Sequence, residues 1–113
     1  MTANTKSFRE PRLELLRFFG SPPEQVEWQA RTPTLGIDEP MEWWLEDFHP
    51  DSELFRSAFT PQEIRLLEEF HSIFEGATLR WLHPPYPSVD VALQDEARLK
   101  VVEAARRISA VLK

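Results

Sequence analysis

Along residues 61–77, apolar side chains return every three or four positions: Leu66, Leu67, Phe70, Ile73, Phe74 and Ala77. At about 100° per residue they fall within an arc of roughly 120°, while Arg65, Glu68, Glu69, Ser72 and Glu75 lie outside it. The spacing predicts an amphipathic helix over 61–75. Thr60-Pro61-Gln62-Glu63 marks its start, since the Thr hydroxyl accepts from the Glu63 N–H while the Glu side chain reaches back to the N–H of Thr60. Gly76 marks its end, as a residue that enters the left-handed region at no steric cost. The same period recurs over 90–112, where Leu93, Ala97, Val101, Ala104, Ala105, Ile108, Val111 and Leu112 share one face. Arg106, Arg107 and Lys113 suit the negative end of that helix dipole.

Three shorter helices are expected at 11–19, 39–48 and 52–59. The apolar run LELLRFF ends at Gly20, again in the role of a left-handed cap, and Gly36 lies in a turn. Ser7-Phe8-Arg9-Glu10 has the form of a capping box, but Pro11 then removes an intrahelical donor, so Pro11 serves equally well as first helical residue. Residues 1–7 are expected to be disordered. The stretch 22–31 is ambiguous, because Val26-Glu27-Trp28-Gln29-Ala30 alternates like a strand and Val89-Asp90-Val91 offers a second one. Ser21-Pro22-Pro23-Glu24 reads as a capping box and favours helix, and a lone two-stranded ribbon is only marginally stable. Helix is preferred, with a minor β-hairpin in reserve. Residues 83–88, HPPYPS, form a stiff extended connector, and their P-x-x-P pattern is common by chance. The expected fold is all-α: one domain over 1–113, a compact bundle of four to six helices.

Composition narrows the function classes. The chain has 113 residues, 42% of them hydrophobic and 12% aromatic, enough for one core without disulfides or a structural metal. No apolar run approaches the roughly 20 residues that span a bilayer, and the start MTANTKSFREP shows no secretion signal, so a cytoplasmic protein is expected. With no cysteine, thiol catalysis, zinc ribbons and disulfides all fall away. A net charge of −6 argues against nucleic-acid binding, which needs clustered Lys and Arg. Three dispersed glycines make no phosphate-cradling loop, and no Ser or Thr stands at a spacing that favours pairing with His49, His71 or His83. A non-enzymatic chain without a cofactor is the expectation.

One motif tests that expectation. Glu46-Asp47-Phe48-His49 and Glu68-Glu69-Phe70-His71 are both Glu-x-x-His, the unit that carboxylate-bridged di-iron bundles use twice. A metal site built from Glu46, His49, Glu68 and His71 also requires a Glu from each of two further helices, for which Glu14 and Glu103 are available. The helical wheel opposes it, since Glu68 lies about 160° from the centre of the apolar arc and His49 precedes a proline.

Residues 38–53, DEPMEWWLEDFHPDSE, carry seven carboxylates and no Lys or Arg, so the whole acidic excess lies there. Met41, Trp44, Leu45 and Phe48 form a buried face about 100° wide; Trp43 projects about 160° from it, among Glu39, Glu42, Glu46 and Asp47. An aromatic anchor inside a field that steers cations is the combination an interface uses. The functional expectation is a protein–protein interaction domain that presents Glu39, Glu42, Trp43, Glu46 and Asp47 to a basic protein partner, as an immunity protein or antitoxin does. Two plainer readings compete. Trp43 lies beneath segment 22–31, or the acids are matched by Arg98, Lys100, Arg106 and Arg107 of the last helix, within the chain or across a homodimer.

Overall fold

The computed structural model describes residues 3–32, 38–81 and 96–112. Six helices and no strand occur among them: α1 Ala3–Phe19, α2 Pro22–Arg31, α3 Asp38–Asp47, α4 Glu53–Ala58, α5 Pro61–Trp81 and α6 Glu96–Val111. The all-α bundle expected from the periodicity is the fold. Its centre is made by α1, α5 and α6, with α2, α3 and α4 packed against α1. Among the described residues, no helix is long and apolar enough to cross a membrane.

The core is aromatic. Phe19 stacks on Phe70 at 6.1 Å, and Trp44 meets Phe70 edge-on at 5.0 Å. Leu67, Phe70, Phe74 and Ala77 of α5 are buried, with Leu66 and Ile73 packed at the margin, as the wheel predicts. On α6, Val101, Ala104, Ala105, Ile108 and the following Leu112 are buried, but Val111 is 65% exposed and Val102 takes an inward place.

Helix boundaries follow the capping signals where no tertiary contact overrides them. The box at α5 closes in both directions, Thr60 N–H to Glu63 Oε1 at 2.9 Å and Glu63 N–H to Thr60 Oγ1 at 3.1 Å. At α2 the Ser21 hydroxyl accepts from the Glu24 N–H at 3.4 Å, while the N–H of Ser21 turns back to the Phe18 carbonyl. Residues 22–31 are therefore helix, and the reserve hairpin loses its first strand. Its second, Val89–Val91, lies outside the described residues, as do Gly36, the 83–88 connector and the first turns expected for the 90–112 helix.

Two boundaries differ from expectation. α1 begins at Ala3 and runs through Pro11, taking in residues 3–7. An interior proline costs about 3 kcal/mol. Contacts of the preceding turn offset it: Phe8 lies edge-on to Phe55 at 5.7 Å and to Phe59 at 6.5 Å. Arg9 donates to the Ala58 carbonyl at 2.8 Å and forms a two-pronged pair with Glu63 at 2.9 and 2.8 Å. α5 continues through Gly76 to Trp81, because a single glycine weakens a helix by about 1 kcal/mol without ending it. α1 ends at Phe19 as expected, but Gly20 is glycine for another reason than a left-handed cap. A Cβ there would stand 2.9 Å from the backbone N of Arg106, so glycine lets α1 approach α6.

Candidate interaction surface

α3 is a helix that local rules only partly favour. Pro40 sits in its first turn, where a missing N–H costs nothing, and His49-Pro50 follows its last residue. Its last turn holds Glu46 and Asp47 and no basic residue, although carboxylates at the negative end of the dipole each cost about 0.3–1 kcal/mol. What holds the helix is its other face. Met41 and Trp44 are buried, Leu45 and Phe48 pack beside them, and Trp44 stacks on Phe48 at 5.4 Å.

Trp43 stands 42% exposed, between the two fates open to it. It meets Trp28 of α2 edge-to-face at 6.3 Å, and Trp28 in turn meets Phe18 at 6.0 Å. An aromatic ladder thus rises from the core to the surface, and Trp43 is its outer rung. Below it, α1 and α3 enclose a shallow groove of about 380 Å³ lined by Pro11, Arg12, Glu14, Leu15, Trp43, Glu46 and Asp47.

Of the acids expected here, Asp47 is paired with Arg12 at 3.2 Å. Glu42 and Glu46 are exposed and Glu39 half-buried. Among the described residues, none of these three pairs with a Lys or Arg. Glu14, considered in the sequence only as a metal donor, is brought to the groove by α1, which the charge run over 38–53 gave no means of finding. Arg12 was missed likewise. The one usable signal is that Pro11, Arg12, Glu14 and Leu15 surround the inward Leu13 and Leu16 on a single helix.

The arginines of α6 do not reach this acidic patch. Arg98 is buried, donating to Gln25 Oε1 and lying over the Phe19 ring at 5.5 Å. Gln25 passes the connection on to the carbonyls of Phe18 and Phe19 at 3.1 and 3.2 Å. Arg106 donates to the Gly20 carbonyl at 3.3 Å, and Arg107 pairs with Glu69 at 2.8 Å. Those three cations are engaged with α1, α2 and α5 and do not neutralise 38–53 within the chain.

Nor do the two Glu-x-x-His units converge. His49 Nε2 lies 2.9 Å from the Glu46 carbonyl, at the end of α3. Glu68 is exposed, as the wheel requires. His71 faces α3, where its Nδ1 accepts a hydrogen bond from Trp44 Nε1 at 3.1 Å. Burial pulls its pKa below the ordinary imidazole value, against the opposing pull of Glu75. Among the described residues no group of three His, Asp or Glu side chains is placed to hold a metal ion. Comparison with protein-family models, with curated proteins and with solved structures finds no match to this chain.

Proposed function

We propose that this chain is a non-enzymatic interaction domain that offers the α1–α3 groove to a basic protein partner, with Trp43 as the apolar anchor and Glu14, Glu42 and Glu46 as the charged rim. The observation that carries the reading is a 42% exposed indole beside Glu42 and Glu46, which no Lys or Arg pairs among the described residues. The helix tolerates acids at its negative end, where they weaken it and strengthen the outward field, and such a broken local rule is characteristic of functional positions. Carboxylates spaced along a helix present the charge that a cationic groove receives from phosphates. The partner class is accordingly a protein with such a groove, and the role is to occupy it, as an immunity protein or antitoxin does.

The test is capture from the native host with the wild-type chain as bait, followed by binding kinetics on the protein recovered. Support requires a basic partner whose affinity falls about thirtyfold or more with Trp43→Ala, the scale of an interface anchor. Glu42→Lys/Glu46→Lys should slow association and flatten its salt dependence. Unchanged affinity in both variants sinks the assignment.

A further inference from the structure

Among the described residues, the polar tie between α3 and α5 is a single hydrogen bond with a titratable acceptor. Trp44 is 2% exposed, and its indole nitrogen can only donate. It donates to His71 Nδ1 at 3.1 Å, so this imidazole nitrogen presents its lone pair and the ring proton is on Nε2. Phe48 covers the ring, stacked at 4.0 Å with an interplanar angle of 13°. One imidazole is therefore touched by Trp44 of α3 and by Phe48, the residue that follows that helix.

The charges around it are few. Glu75, on the same helix, faces Nε2 at 3.9 Å with its carboxylate largely in solvent. From α3 the ring meets Trp44 and from just beyond it Phe48, neither of which titrates, and from α4 the Phe55 ring packs edge-on against Phe48 at 5.5 Å. Asp47 is turned to Arg12 on α1. Protonation places a second N–H at Nδ1, opposite the indole N–H. Two donors then face each other, and a buried N–H loses its acceptor.

We propose that His71 is an acid-sensitive latch: its neutral ring holds α3 on α5, and protonation releases α3 together with the Trp43 surface it carries. The consequence for recognition rests on the partner-binding reading above, whereas the latch itself does not. Burial of the ring opposes the imidazolium and outweighs Glu75, which favours it. Because the folded state disfavours the proton, this contribution to α3 docking is complete above the ordinary histidine range and is lost as pH falls through and below it.

Amide hydrogen exchange across pH 7.5 to 5, corrected for the intrinsic rate, tests the latch without a partner. Protection in α3 should fall with pH relative to α5 and α6, by no more than about tenfold per pH unit, the limit for one proton. His71→Gln, whose amide oxygen can accept from the indole but cannot titrate, should flatten the response. Glu75→Gln should move it to lower pH. A flat wild-type profile, a response that persists in His71→Gln, or a steeper one overturns the proposal. If His71→Gln does not fold, the ¹⁵N shifts of His71 in the wild type decide: Nδ1 already protonated at neutral pH overturns it, and an Nε2–H tautomer giving way to imidazolium as α3 protection falls supports it. A failure of Trp43→Ala to affect partner binding leaves all these rates untouched, so the two readings fail separately.

Discussion

Trp43 and Trp44 are adjacent in the chain, about 100° apart on one helix, and end in opposite environments. Trp44 is sealed among Phe19, Phe48 and Phe70, its one polar atom satisfied by His71. Trp43 leans on Trp28 and keeps its remaining surface in solvent. A similar economy operates at Glu63, which caps α5 and pairs with Arg9 at once. Arg9 holds the Glu63 carboxyl below its ordinary pKa of 4.5, with the cap's N–H adding to the effect and burial opposing it. A carboxylate with a lowered pKa stabilises the fold above its unfolded value and stops doing so as pH falls through its folded one. Glu63→Gln keeps a capping oxygen but loses the charge, and should cost about 1–2 kcal/mol at pH 7. In denaturant titrations the gap from wild type should narrow below about pH 4; a gap independent of pH means the carboxylate charge is not what holds the residue.

Whole helices repeat the lesson with two glycines. Gly76 lies inside α5, exposed, and a Cβ there meets nothing within 4 Å. Gly76→Ala should therefore stabilise the protein by about 0.5–1 kcal/mol. Gly20→Ala should destabilise it by on the order of 2 kcal/mol, because the added carbon strikes the α6 backbone at Arg106 and Ala105. Thermal melts of the two variants should move in opposite directions, and equal shifts would sink the assignment of α1–α6 approach to Gly20. Both glycines look alike in the sequence, each just after an apolar run. Periodicity and capping chemistry located each helix among the described residues, since both act within a few residues. They misjudged the start of α1, where the distant contacts of Phe8 and Arg9 outweigh the penalty at Pro11, and the stop of α5, where the penalty of Gly76 is too small to end a helix.

Across the whole molecule, the aromatic centre ties α1, α3 and α5 together while α6 closes it. Phe70 and Ile108 are both fully buried. Phe70→Ala should cost about 3–5 kcal/mol and Ile108→Ala about 2–5 kcal/mol by chemical denaturation. Losses below about 1 kcal/mol in either would mean the two helices do not share one core. At this scale the chain alone determined the fold class, the inward faces of α3 and α5, that of α6 apart from Val102 and Val111, and the location of the acidic excess, because binary patterning is written residue by residue. It could not determine which cation meets which acid. Arg98 reads as a surface charge and is buried against Gln25, while Asp47 is answered by Arg12. Nor could it place Glu14 beside Trp43, or His71 beneath Trp44. Those pairings depend on how helices far apart in sequence cross one another, which the packing of many side chains decides together, and no local pattern encodes that.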